Sequence, residues 1–201
     1  MEGISDILSA LAADDHLRAL RTGDPDGKWI TYEGRRYVNM SSNDYLGLAA
    51  DIELQQKFLA EQSSGTTFIM GSTASRLMTG NGSDYRFLEA SLAKMYPGRE
   101  CLVLGSGYLV NCGILPAITG KKDLILADKY VHASIIDGLR LCSCEWHRFN
   151  HNDMGHLRQL CEKYSGNYDN IWVVTESLFS MDGDVAPIKE LAVLKKEFGL
   201  N

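Results

Sequence analysis

The stretch Leu124-Ile125-Leu126-Ala127-Asp128-Lys129-Tyr130-Val131-His132-Ala133-Ser134-Ile135-Ile136-Asp137-Gly138 sets the architecture: an apolar run breaks through a polar turn into residues with helical spacing. A short, unbroken apolar run suits a strand covered on both faces. The same alternation recurs on either side. Upstream, Cys101 to Leu104 reads as a strand and a helix begins near Tyr108; the helix after Leu124 to Ala127 begins near Ala133. Downstream, strands at Cys144 to Phe149 and Ile171 to Thr175 each lead into a helix, at Asp153 to Tyr164 and Pro187 to Phe198. Such an order predicts an α/β fold with a mostly parallel sheet flanked by helices.

Residues ahead of this region are organised differently. Ile4, Ile7, Leu8, Leu11, Leu17 and Leu20 fit one face of a helix over residues 2 to 22, with a break near Asp14-Asp15. Trp29 to Tyr32 and Arg36 to Met40 flank Glu33-Gly34 and read as a small hairpin. A helix at Asp51 to Gln62 ends in Ser63-Ser64-Gly65, and another at Asp84 to Tyr96, with Phe87, Leu88, Leu92 and Met95 inward, stops at Pro97-Gly98. Residues 1–45 therefore read as an N-terminal arm with a helix and hairpin, and residues 46–201 as the first part of a large domain. The last helix closes at Gly199, where a further strand is expected, so the sequence reads as truncated before the end of that domain.

Composition narrows the function. The chain has 201 residues, 45% of them hydrophobic, with 20 Lys and Arg against 26 Asp and Glu and a net charge of -6. Mixed charge of acidic balance argues against nucleic acid or an anionic membrane as partners, and no apolar run approaches a membrane span. With no basic start of the signal-peptide kind, the expected compartment is the cytoplasm. Five scattered cysteines predict reduced thiols rather than a disulfide framework.

The chemistry-bearing motifs sit where strands meet helices. Gly105-Ser106-Gly107 leads from a strand into a helix, which suits a phosphate or an ordinary tight turn. The G-x-G-x-x-G pattern fails because position 110 is Val. His132 follows a strand end, the edge at which α/β sheets place ligands, although a capping or core histidine fits the same position. Ser180, in the polar loop after Val173-Val174-Thr175, is expected at the same sheet edge. Asp182 and Asp184 read as turn residues. Cys142, Cys144, His147, His151 and His156 match no common zinc spacing, so no metal site is expected. Ser91-Leu92-Ala93-Lys94 lacks the motifs that accompany S-x-x-K, and no G-x-S-x-G elbow occurs.

Five segments in order, Ser41-Ser42-Asn43-Asp44-Tyr45-Leu46-Gly47-Leu48, Gly71 to Asn81, Gly105 to Tyr108, Ala127 to Ser134 and Thr175 to Asp184, resemble the α-oxoamine synthases. The resemblance covers nearly the whole chain. It implies the pyridoxal-phosphate-dependent transferase fold of type I, with residues 46–201 in the large cofactor-binding domain. The implied reaction is a decarboxylative condensation of an amino acid with an acyl thioester. Glycine-using members typically have Gly-Thr where Gly80-Asn81 stands, and one of them a Cys-containing turn in place of Gly105-Ser106-Gly107. The likeness is closest to the biotin-pathway branch, which implies L-alanine and pimeloyl-CoA or a pimeloyl carrier protein as substrates, and a homodimer.

By resemblance, Gly107 and Tyr108 supply backbone amides to the phosphate of pyridoxal 5'-phosphate, His132 stacks on its ring, and Ser180 hydrogen-bonds its phenolic oxygen. Asn43 matches a position near the substrate, and Arg18 or Arg21 is a candidate for the acyl carboxylate. No lysine of this sequence stands in the family's Lys-Gly context, and the segment carrying the aspartate for the pyridinium nitrogen is not found. The 201-residue chain alone is therefore expected to be inactive, or to represent a noncatalytic subunit.

Overall fold

The computed structural model describes residues 3–63 and 71–201, with side chains 62 and 63 left aside. Ser64 and Gly65, the expected end of one helix, lie outside the described residues. The chain divides into two units, Met1–Gly80 and Asn81–Asn201, and the boundary expected after residue 45 falls inside the first.

In the first unit, helix α1 (Ile4–Ala13) starts with the Gly3 amide donating to Asp6 Oδ2 at 3.1 Å. It stops because Asp15 adopts φ +54 and the amides of His16 and Leu17 both turn back to the Leu11 carbonyl, at 2.8 and 2.9 Å. The helix thus ends at the break expected near Asp14-Asp15, but the expected continuation to residue 22 does not form, and Leu17 and Leu20 are exposed beyond it. Apolar spacing alone carried the expectation of helix beyond that break.

Strands β1 (Asp24–Asp26), β2 (Trp29–Tyr32) and β3 (Arg35–Val38) form an antiparallel sheet. Glu33 and Gly34 both take positive φ, at 48° and 72°, the backbone of a two-residue hairpin turn whose twist matches its strands. β1 was not legible, since Asp-Pro-Asp is poor strand chemistry; proline is tolerated there because β1 is an edge. A single 3-10 turn at Leu48–Ala50 precedes α2 (Ile52–Ser63).

The second unit opens with α3 (Ser83–Ala93), shorter than expected, whose Phe87 and Leu88 are exposed, as is Met95 just beyond it. The expectation that Phe87, Leu88 and Met95 point inward is therefore not met, because spacing marks an apolar stripe but cannot show that anything packs against it. Cys101 to Leu104 joins no ladder; Val103 donates its amide to Glu89 Oε1 at 2.8 Å. A strand exists only with a partner alongside, and none stands there among the described residues.

The remaining elements follow the expected alternation: α4 (Gly107–Ile118), β4 (Leu124–Asp128), α5 (Ala133–Leu141), β5 (Glu145–Phe149), α6 (Met154–Tyr164), β6 (Ile171–Val174) and α7 (Ile188–Phe198). β4 lies between β5 and β6, parallel to both, and all of its residues are buried. Alternation along β4 sends Leu124 and Leu126 to one face, with Phe149, Leu157, Cys161 and Leu194, and Ile125 and Ala127 to the other, with Leu115, Ile135 and Leu139. α6 and α7 thus cover one face, and α4 and α5 the other. A Cβ on Gly138 would stand 2.3 Å from the Asn111 carbonyl oxygen, so glycine is what lets α5 approach α4 this closely.

Candidate active site

The junctions at the carboxyl ends of β4 and β6 open into a cavity of about 590 Å³. Gly107, Tyr108 and Asn111 line it from α4, His132, Ser134 and Ile135 from the start of α5, and Thr175, Glu176, Ser177 and Leu178 from the loop after β6. The volume is that of a small-molecule site.

On the α4 side the helix begins with Ser106, whose hydroxyl accepts the Leu109 amide at 3.2 Å. The amides of Gly107 and Tyr108 come too early in the helix to find an intrahelical carbonyl, and they have no other partner among the described residues. Two free N–H groups at the positive end of a helix suit an anionic group. Gly107 is not demanded by the protein's own packing, because a Cβ built there meets nothing within 4 Å. The space it leaves belongs to the cavity. Tyr108 points its hydroxyl at Asp137 on α5, and that bond raises the phenol's pKa by holding its proton. Asp137 is held in turn by Arg140 Nη1 at 2.9 Å.

His132 has two roles in this geometry. Its Nδ1 caps α5, accepting the Ser134 amide at 3.1 Å, and also lies 2.7 Å from Ser134 Oγ. Because Asn111 Nδ2 donates to that hydroxyl oxygen at 2.9 Å, the Ser134 proton is free to point to His132. Nδ1 then receives two donors, and the ring proton belongs on Nε2. Nε2 has no partner among the described residues. The backbone amide of His132 donates to Glu176, which fixes the loop after β6 against the start of α5.

Of the residues singled out in the sequence, Gly107, Tyr108 and His132 thus share one cavity. Ser180 is exposed in a turn further along the loop and is not among the lining residues. Asn43 and Arg18 belong to the first unit; Asn43 Oδ1 accepts the Tyr45 hydroxyl at 3.5 Å, and Arg18 is exposed after α1. Sequence reasoning missed Asn111, Ser134 and Glu176. Asn111 was within reach, since it follows Gly107 by one helical turn and so shares its face.

Residues 35–200 match the family described as aminotransferase class I and II, and the chain belongs to that family. It is 49% identical over 200 residues to the 8-amino-7-oxononanoate synthase of Haemophilus ducreyi, covering 98% of this chain and 52% of that protein. A putative 8-amino-7-oxononanoate synthase of Haemophilus influenzae is 48% identical over 198 residues, with the same coverage. The chain spans about half the length of the curated relatives it matches. Among solved structures, a serine palmitoyltransferase variant from S. paucimobilis with a bound PLP–myriocin aldimine superposes with a TM-score of 0.81 at 24% identity, over 99% of this chain and 50% of that one. The fold is that of the pyridoxal-phosphate-dependent transferases, as expected from the sequence motifs.

Proposed function

We propose that this chain is part of an 8-amino-7-oxononanoate synthase, a pyridoxal-phosphate-dependent acyltransferase that condenses L-alanine with a pimeloyl thioester and releases carbon dioxide. The observation that carries the reading is the shared cavity of Gly107, Tyr108 and His132, in a chain 49% identical to a relative of that name. A cytoplasmic homodimer is part of the same reading. The serine palmitoyltransferase likeness is a likeness of fold, and the higher identity favours alanine over serine as the amino acid.

The residues fit a phosphate-bearing aromatic cofactor. The Gly107 and Tyr108 amides, without a partner among the described residues, would meet the phosphate, the open Cβ position at Gly107 would leave room for it, and His132 would supply an aromatic face on the same cavity. When bound, pyridoxal phosphate supplies an electron sink for negative charge at the amino acid's α-carbon. The α4 dipole and the Gly107 and Tyr108 amides would hold the phosphate dianion. His132 orients the ring and offers Nε2–H to a carboxylate, and Ser180 is the proposed donor to the phenolic oxygen. Asn43 is proposed near the amino acid, and Arg18 near the far carboxylate of the acyl chain. A fixed array of this kind lowers the barrier by positioning, since its groups need not reorganise as charge develops.

The test is an assay of the complete open reading frame that encodes this sequence, offered alanine or glycine with pimeloyl-CoA or acetyl-CoA. The proposal expects turnover with alanine and pimeloyl-CoA. Preference for glycine and acetyl-CoA would assign the chain to a different branch.

A further inference from the structure

His151 stands between two aspartates from different parts of the second unit. Its Nδ1 lies 2.9 Å from Asp128 Oδ1 at the end of β4, and its Nε2 lies 2.8 Å from Asp184 Oδ2 in the loop after β6. Tyr130 stacks on the ring at 4.5 Å between centroids, and Phe179 meets it edge-on at 4.5 Å. Asn152 closes the side, donating its amide to Asp128 Oδ2 at 2.9 Å and its Nδ2 to Asp184 Oδ2 at 2.8 Å. Asp128 is fully buried and also accepts the Tyr130 amide at 2.8 Å.

A neutral imidazole offers one N–H and one lone pair, so it would turn a lone pair toward one of the two carboxylates. Only the imidazolium satisfies both. The turn it faces is a closed unit: the Phe179 amide bonds the Asp184 carbonyl and the Gly183 amide bonds the Phe179 carbonyl, both at 2.9 Å, with Leu178 bridged to Val185. That turn carries Ser180 and begins at Leu178, the last residue of the cavity wall formed by Thr175 to Leu178.

We infer that His151, as an imidazolium, is a positioning residue that ties the 178–185 turn to the end of β4 and so holds in place Leu178, where the turn meets the cavity wall. Burial alone would lower the pKa of His151, but its bonds to Asp128 and Asp184 and their charges outweigh this, and the net direction is upward. Its bond to Asp184 in turn holds that carboxyl below the usual range. The remaining nearby ionisable groups are engaged elsewhere or exposed. Asp153 Oδ1 takes the His156 amide at 2.8 Å, His156 Nδ1 takes the Asn150 amide at 3.0 Å, and Lys129 and Asp182 are exposed. A raised folded pKa makes the stabilisation complete below the ordinary histidine value and lost as pH rises through the raised one. The Asp184 contribution is lost at the other end, as pH falls through its lowered value. The turn is therefore held between these limits and loosens above the upper one.

Neither cofactor nor reaction is needed to test this. Long-range proton–nitrogen spectra of the histidine-labelled chain follow the His151 ring, assigned by its loss in His151→Gln, while hydrogen exchange gives protection factors for the Phe179 and Gly183 amides. The expected result is a His151 titration above about 6.5, with protection at both amides falling through the same range by about tenfold for each unit of upward shift. In His151→Gln that pH dependence should vanish, while Leu126 in β4 stays protected as a control of folding. A His151 that titrates at or below its ordinary value, or Phe179 and Gly183 protection that ignores the titration, would overturn the inference. So would an unchanged pH dependence in folded His151→Gln. Should that variant not fold, the two wild-type measurements decide the matter alone.

Discussion

Ser134 Oγ lies 2.7 Å from His132 Nδ1, with Asn111 Nδ2 donating to the same hydroxyl from 2.9 Å. A buried serine thus decides which nitrogen of an exposed histidine carries the proton. His132 faces the cavity as a hydrogen-bond donor, which suits a carboxylate better than a proton to be removed.

In the holoenzyme, His132→Ala is expected to lower kcat by about a hundredfold, more than it weakens cofactor binding. His132→Phe restores an aromatic face, so it should recover part of the affinity and less of the rate. Both variants also lose the α5 cap, a cost of about 1 kcal/mol, so rates must be compared per folded molecule, with melting temperatures measured beside them. Normal turnover in folded His132→Ala would leave the residue as a cap alone.

Gly107→Val tests the α4 terminus. Beyond its chain neighbours and its own helix backbone, no atom of the described residues lies within 4 Å of the added Cβ, so folding should survive. A branched side chain beside the two free amides should nevertheless weaken pyridoxal phosphate binding to the holoenzyme by at least about tenfold, or roughly 1.4 kcal/mol. Titration of the apoenzyme with cofactor reads this directly; unchanged affinity would make the segment an ordinary turn.

Gly138→Ala should act in the opposite way, through the fold. Its Cβ would meet the Asn111 carbonyl oxygen at 2.3 Å, forcing α4 and α5 apart at a cost of about 1–3 kcal/mol. Chemical denaturation measures that loss, and a wild-type midpoint would mean that the two helices separate freely.

No lysine in this sequence precedes a glycine. Borohydride reduction of the 201-residue chain with pyridoxal phosphate is therefore expected to label no single lysine stoichiometrically. Mass spectrometry of the digest checks this, and one uniquely modified lysine would contradict it.

Local signals made much of this legible. β4 is an apolar run up to Asp128, α5 to α7 carry clear spacing, and Gly107, Tyr108 and His132 sit at helix starts that share one cavity. What failed depended on partners that spacing cannot show. Cys101 to Leu104 has strand composition but no paired strand among the described residues, and Leu17 and Leu20 keep helical spacing beyond the expected break at Asp14-Asp15 without forming a helix. The His151 contacts were illegible for the same reason: Asp128 and Asp184 lie 23 and 33 residues away. Ser180 was placed correctly on the loop after β6, but spacing did not show that a turn carries it past the lining residues.

The central claim is a carbon–carbon bond made with loss of alanine's carboxyl group, and carboxyl-labelled L-alanine tests it most directly. With the complete open reading frame, pyridoxal phosphate and pimeloyl-CoA, the account predicts labelled carbon dioxide and unlabelled 8-amino-7-oxononanoate in equal amounts, and none of either without the thioester. Labelled pyruvate formed by amino transfer, with the carboxyl retained, would contradict it.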